Sequence, residues 1–363
     1  MAILASAALA MADSKADLAE ARRLSEAGDF RGAEAKFRAI LQDPKLKEDP
    51  APIKAELAAV LYNQALLVGR KGNYSPTVPL LKEAIELAPG LVDPRVALAL
   101  SYDNLGNKPE SARIMAEIGV MFMRAGNPKK AAEAFQGAIQ RDPRPEYQMG
   151  LGDGLLASGD YHGALAAYRK LEGKRFDTAV AVKVARRLGD AYSGLGLSKQ
   201  AVDSYESASK MDPGPESSID LAKVYAVRGD WDSVIQKIAD AEKKGQKRDA
   251  DLAFLLSNAH YLKGVGAKDR KADAEAAASF EEAVKAADSG LATEARSDLY
   301  QVKGLALLLL GRFDQAVLAL EGAVKRPPGS ESPKVWAALA AAYDKTGKAA
   351  KAAEARTHLP PGP

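Results

Sequence analysis

A stretch in the middle of the chain decides the fold: residues 189–213 read GDAYSGLGLSKQAVDSYESASKMDP. Measured from Gly196, a glycine lies seven residues earlier, an alanine five residues later and a proline seventeen residues later. The same three residue types stand at the same distances from two other glycines, within residues 119–143 and 304–328. A pattern of this length that returns at fixed spacing indicates an internal repeat.

Each copy divides into two helical halves around its central glycine. Apolar residues recur at helical spacing on both sides of Gly196, so both sides predict amphipathic helices. The small residues Gly189 and Ala201 let these helices approach to about 8–10 Å, and Tyr205 fills the space that they leave. Asp212 and the proline after it end one helix and begin the next. A single helix pair cannot bury its apolar face alone, so neighbouring pairs must stack, and the sequence predicts an all-α solenoid.

This pattern resembles the tetratricopeptide repeat (TPR) family, whose unit is a helix-turn-helix of about 34 residues with small and aromatic residues at these offsets. The resemblance runs from about residue 16 to residue 359. It implies a right-handed superhelix of about nine to ten repeats, and it implies partner binding on the concave face that the first helix of each repeat lines. The turn glycines assigned on this basis are Gly28, Gly72, Gly106, Gly126, Gly159, Gly196, Gly229, Gly311 and Gly347.

Two irregularities interrupt the repeat. Gly106 and Gly126 are too close for two helices, so we predict one helix over residues 109–125 that opens the next repeat. The array would then divide into N-terminal repeats at 16–107 and C-terminal repeats with a capping helix at 108–359. Farther along, residues 264–271 (GVGAKDRK) are interpreted as a six-residue insertion inside one repeat.

The two ends of the sequence differ from the repeats. Residues 1–15 form a possible signal-like segment or an N-terminal helix, because a short apolar run precedes an Ala-x-Ala motif but no basic residue comes before Lys15. The compartment is therefore left open between the cytoplasm, which is slightly favoured, and export to the periplasm. Residues 360–363 are expected to be a tail.

The composition excludes several kinds of function. There is no cysteine, so thiolate metal sites, disulfides and cysteine nucleophiles are excluded. The three histidines stand about a hundred residues apart and lack ligand spacing. A formal net charge of +3 does not favour nucleic-acid binding. Without a catalytic or phosphate-loop motif, we predict a non-catalytic protein that needs no metal or cofactor.

The candidate binding residues come from counting back from Gly196 along the predicted first helix. The positions that should face inward hold Lys183, Arg186, Arg187, Asp190 and Ser193. The three basic residues among them form a local patch suited to an acidic segment or a C-terminal carboxylate. The alternative is a solvated helix face whose arginine stems pack against neighbouring side chains.

Some TPR co-chaperones hold a C-terminal carboxylate in a clamp of two lysines, two asparagines and one arginine. Lys183 and Arg187 fit the third repeat of such a clamp, but Gly150 stands where an asparagine is needed. Another alignment places Asn63 correctly and misses the remaining positions. A co-chaperone clamp is therefore not expected, although Asn63 remains a candidate partner-binding residue.

The sequence as a whole predicts a protein-protein interaction scaffold or adaptor subunit of a multiprotein assembly. Its partners would be one or more proteins, bound as an extended peptide or a helix in the concave groove. Two alternatives stay open: a self-assembling structural protein, and a subunit that recruits substrates for a separate enzyme. No specific nucleic-acid partner and no membrane span are expected, and homo-oligomers are compatible with the pattern.

Overall fold

The computed structural model describes residues 16–44, 46, 49–328 and 332–360, and all regular structure within them is α-helical. The predicted signal-like segment at 1–15 lies outside the described residues, as does most of the predicted tail at 360–363. The chain forms two compact units, of which the first ends at Gly173 and the second begins at Lys174. The prediction of an all-α solenoid is confirmed.

The first unit contains nine helices in its described part, and from the second to the ninth, consecutive helices pack against each other. Its helices are α1 (16–26), α2 (Phe30–Gln42), α3 (Pro50–Gly69), α4 (Thr77–Leu87), α5 (Asp93–Asn104), α6 (Lys108–Arg124), α7 (Pro128–Arg141), α8 (Pro145–Ala157) and α9 (Tyr161–Arg169).

The second unit contains ten helices among its described residues, arranged as five pairs. Its helices are α10 (Thr178–Gly194), α11 (Ser198–Met211), α12 (Pro215–Arg228), α13 (Trp231–Lys243), α14 (Ala250–Asp269), α15 (Asp273–Leu291), α16 (Ser297–Leu309), α17 (Phe313–Val324), α18 (Pro333–Lys345) and α19 (Ala349–Arg356).

The turns within the pairs are where the sequence places them. All nine assigned glycines have a positive φ, between 70° at Gly126 and 83° at Gly159. L-residues with a side chain adopt this left-handed conformation at a cost of about 1–2 kcal/mol, whereas glycine adopts it freely. The glycines therefore close each helix pair without backbone strain.

The paired helices approach closely where a small residue faces a large one sixteen positions later. A Cβ atom built on Gly152 would lie 2.5 Å from Cε1 of Tyr168, closer than side-chain atoms pack. The same relationship holds for Gly119 with Phe135 at 2.8 Å and for Gly304 with Leu320 at 2.6 Å. These ring and leucine side chains are buried, so the glycine at this offset is required by packing.

The prediction of a six-residue insertion at residues 264–271 is wrong. Helix α14 runs without interruption through Gly264, whose added Cβ would meet Cε1 of Phe280 at 2.7 Å. Lys271, seven residues after Gly264, has a φ of 62° and is the only non-glycine residue with a positive φ among the described residues. Lys271 thus occupies the turn position that glycine holds elsewhere, and the small and large residues around it, Gly264 and Phe280, keep their usual distances from the turn.

The single helix predicted between Gly106 and Gly126 is confirmed as α6. It packs against α5 before it and α7 after it, and it also contacts α8. Helix α6 is therefore the second helix of one pair and the first helix of the next, which accounts for the odd number of described helices in this unit. The division of the array at 107/108 stays a prediction, since the compact units divide at Gly173.

A polar cluster connects the three helices around α6. The guanidinium of Arg141 on α7 donates to both carboxylate oxygens of Asp103 on α5, from Nε at 3.0 and 2.8 Å, and to Oγ of Ser111 on α6 at 2.8 Å. Burial alone would raise the pKa of Asp103, but the hydrogen bonds and the charge of Arg141 outweigh it and lower that pKa. The cluster therefore holds α5, α6 and α7 together at the point where α6 belongs to two helix pairs.

Candidate functional site

A groove runs between α10 and α12, the first helices of two successive pairs in the second unit. The two helices contact each other and leave a cavity of about 520 Å³. We call it the α10–α12 groove. It is lined by Ala179, Val182, Lys183, Arg186, Arg187, Asp190, Asp212 and Asp220.

Four of the six predicted binding residues line this groove: Lys183, Arg186, Arg187 and Asp190. They meet because they share one face of α10, at the spacing of successive helical turns. Ser193 lies on the last turn of α10 and is not among the lining residues. Asn63 lies on α3 in the first unit and does not belong to the groove.

An ion pair crosses the groove from one first helix to the next. Nε of Arg186 donates to Oδ2 of Asp220 at 2.6 Å, and the Asp220 side chain is only 14% exposed. Burial raises the pKa of Asp220 above its usual value, and the adjacent Arg186 opposes this shift without cancelling it. The pair therefore joins two successive repeats and fixes the position of the guanidinium.

A second chain of polar contacts lies along α10 itself. Nη1 of Arg187 donates to Oδ2 of Asp190 at 3.0 Å. The hydroxyl of Tyr205, on the paired helix α11, donates to the other oxygen, Oδ1, at 2.6 Å. Asp190 thus uses both carboxylate oxygens within the protein, and it fixes Arg187 relative to the helix pair.

The groove is mixed in charge, because three aspartates stand beside its three basic residues. Of these acids only Asp190 is predicted from the sequence, whereas Asp212 and Asp220 are not. Asp220 could have been found by applying the same offset, nine residues before the turn glycine, to Gly229. A partner of this groove would meet a fixed pattern of both charges that includes two existing ion pairs.

The described residues form neither a metal site nor a membrane-spanning helix. No group of three or more histidine or acidic side chains within ranges 16–44, 49–328 and 332–360 is placed so that it could hold a metal ion. Among the described helices, none combines the length and the apolar character that a bilayer crossing requires.

Comparison with protein families gives one clear result. A family model described as tetratricopeptide repeat matches residues 62–144, 117–179, 149–215 and 302–356. Together these regions cover more than half of the 363 residues. A comparison with curated proteins finds no match.

Solved structures of several other proteins are similar at low sequence identity. The crystal structure of MamA is 20% identical, with a TM-score of 0.40, over 47% of this chain and 91% of the MamA chain. PilF from Pseudomonas aeruginosa is 17% identical, with a TM-score of 0.35, over 63% of this chain and 91% of its own. The TPR2AB domain of yeast Sti1, in complex with pHSP90, is 20% identical, with a TM-score of 0.30, over 69% of this chain and 89% of its own.

Proposed function

The chain belongs to the tetratricopeptide repeat family, and on that premise we propose that it is a non-catalytic scaffold that holds a partner protein in the α10–α12 groove. The observation that supports this most is the Arg186–Asp220 pair, which spans two first helices and presents a charged, preorganised surface. Fixed charges across an interface favour one partner over others more than they add to affinity. The groove is therefore suited to selective binding of a charged segment.

The partner segment must carry both kinds of charge, or bind beside the internal ion pairs. The guanidinium groups of Arg186 and Arg187 are both bonded to aspartates but remain 37% and 39% exposed. A guanidinium has five N–H donors, so a bonded arginine still has donors for a second carboxylate. A peptide with an acidic residue could thus bind Arg186 without breaking its pair with Asp220.

The test exchanges the two charges of the pair and leaves the pair itself intact. In Arg186→Glu/Asp220→Arg the two side chains can still bond to each other, while the pattern presented to a partner is inverted. We expect partners captured by chemical cross-linking from a native extract to bind this variant about tenfold more weakly than the wild type. The single variant Arg186→Glu should show the same loss.

The matched control inverts an exposed pair outside the groove, Glu282→Lys/Lys285→Glu on α15, whose charged atoms are 2.7 Å apart. This control should bind every partner of the wild type. Equal capture by all variants would show that the groove is not the binding surface. If no stoichiometric partner is captured, the scaffold function is wrong, and cross-links only between copies of the chain would instead favour a self-assembling protein.

A further inference from the structure

The first unit contains one buried charged residue whose position is unusual. Arg95 on α5 is only 9% exposed and is the only charged residue among the buried residues of the described chain. Its Nη1 donates to the carbonyl of Leu91 at 2.7 Å, and no described carboxylate lies within ion-pair distance of its guanidinium. A buried charge without an ionic partner is costly to a folded protein.

Arg95 lines a cavity of about 530 Å³ within this unit. The apolar part of the wall comes from three other helices: Ala116, Val120 and Met121 on α6, Phe135 on α7 and Tyr147 on α8. We call this cavity the Arg95 pocket. It is large enough for an amino-acid side chain, and it combines apolar walls with one desolvated cation, as ligand pockets commonly do.

The other charged residues of the pocket leave it with an excess of positive charge. Arg113 is bonded to Glu110 at 2.8 Å and forms a close pair with Glu117, so its charge is compensated. Arg124 is exposed and lines the pocket together with Glu146. Glu117 is already paired with Arg113, and Glu146 also lies 3.9 Å from Arg144. At most one acidic residue of the pocket is therefore left to balance the charges of Arg95 and Arg124.

Packing within the repeat does not require a charged residue at the position of Arg95. Arg95 stands eleven residues before its turn glycine, and the same offset holds Leu61 in α3, Met115 in α6 and Gln148 in α8. The pocket forms where α6 serves two helix pairs, because α6 is in contact with α5, α7 and α8 at once. The arginine is thus placed at the irregular point of the array.

We propose that the Arg95 pocket binds an aspartate or glutamate side chain of a partner protein segment, with an apolar neighbour of that residue against Val120 and Phe135. The carboxylate would supply the ionic partner that Arg95 lacks, and charge-assisted hydrogen bonds to a desolvated guanidinium are strong and directional.

The pocket belongs to the first unit and shares no residue with the α10–α12 groove, so its test is independent of the proposed function. The minimal probes are 3-phenylpropionate and its neutral counterpart 3-phenylpropanamide, titrated into the full-length protein and followed by the NMR signal of the Arg95 Nε–H. We expect the acid to bind at least tenfold more tightly than the amide. Equal binding of both probes, or binding of neither at millimolar concentration, would overturn the proposal.

Three peptides then distinguish an internal acid from a chain end. The first is acetyl-Ala-Leu-Glu-Phe-Ala-amide, the second has Gln in place of Glu, and the third is the Gln peptide with a free C-terminal carboxylate. Tighter binding of the Glu peptide than of both Gln peptides is expected. If only the peptide with the free carboxylate binds, the pocket accepts a C-terminus and the proposal of an internal acidic residue is wrong.

Variants of the pocket separate binding from folding. Arg95→Met keeps the apolar stem and removes the charge, so the preference for acid over amide should disappear while the melting temperature stays equal or rises. Arg95→Lys, which keeps a charge, should retain part of the preference and serves if Arg95→Met does not fold. Arg23→Met, at an exposed arginine on α1, is the control and should bind like the wild type. An unchanged preference in Arg95→Met would contradict the assignment of Arg95.

Discussion

The ring of Tyr205 occupies the space that a side chain at residue 189 would need, since a Cβ atom on Gly189 would lie 2.7 Å from Cε1 of that ring. Tyr205 is buried, and its hydroxyl is fixed by a 2.6 Å bond to Asp190. The ring therefore cannot move aside without breaking a polar contact. This relationship makes the glycine a packing residue, and it explains why the repeat places a small residue seven positions before each turn.

A pair of glycine substitutions isolates this packing effect. Gly189→Ala and Gly266→Ala both replace a glycine inside a helix and gain the same helix propensity. The nearest atom to an added Cβ at Gly266 is the flexible end of Arg270, at 3.6 Å. We expect the free energy of unfolding of Gly189→Ala to lie about 1–3 kcal/mol below that of Gly266→Ala. Urea titration measures both, and equal values would contradict the packing role.

The hydroxyl of Tyr205 provides a second prediction. Tyr205→Phe removes the donor to Asp190, so we expect a loss of about 1.5–3 kcal/mol, which is typical of a hydrogen bond to a charged group. Tyr261→Phe is the control, because the Tyr261 hydroxyl has no hydrogen-bond partner among the described residues; it should change stability by less than about 0.5 kcal/mol. If thermal melts show similar changes for both, the bond to Asp190 does not stabilise the fold.

The packing features of each helix pair could be predicted from the sequence because they are local. The turn glycines and the small-large pairs, such as Gly152 with Tyr168, lie within one helix pair and recur at fixed offsets. The turn at Lys271 is not predictable from the sequence, because lysine is not a residue type that favours a left-handed conformation. With that turn unrecognised, the extra residues of the long helix α14 were assigned to a loop.

The sites were harder to predict because they depend on contacts between different pairs. Asp220 lies 34 residues beyond Arg186, and its role follows only when the inward offsets are applied to two successive repeats. The Arg95 pocket depends on the double use of α6. The single helix was predictable from the short spacing of Gly106 and Gly126, but the cavity beside it is a product of packing among four helices.

The polar cluster at α6 predicts how stability depends on pH. The pKa of Asp103 is lowered below its usual 3.8 in the folded protein. Its contribution is therefore fully present above that usual value and is lost as the pH falls through the lower folded-state pKa. We expect Asp103→Asn to cost about 1–3 kcal/mol at pH 7 and much less near pH 2. Urea titrations of both proteins at a series of pH values measure this difference.

The control for this dependence is a carboxylate that pairs with arginine in solvent. Glu20 bonds to Arg23 at 2.8 Å on the exposed face of α1. Glu20→Gln should leave stability unchanged at both pH values, because exposed ion pairs contribute little. A cost for Asp103→Asn that is the same at pH 2 and pH 7 would show that ionisation of Asp103 does not stabilise the cluster.

The turn at Lys271 predicts a substitution that should stabilise the protein. Its φ of 62° places a side chain in the left-handed region, where an L-residue costs about 1–2 kcal/mol and glycine costs little. Because glycine also has a more flexible unfolded state, we expect Lys271→Gly to raise the free energy of unfolding by about 1 kcal/mol. Gly311→Ala, which makes the opposite change at an equivalent turn with a φ of 76°, should lower it by a similar amount. A loss of stability in Lys271→Gly on urea titration would mean that residue 271 is not the turn residue of its pair.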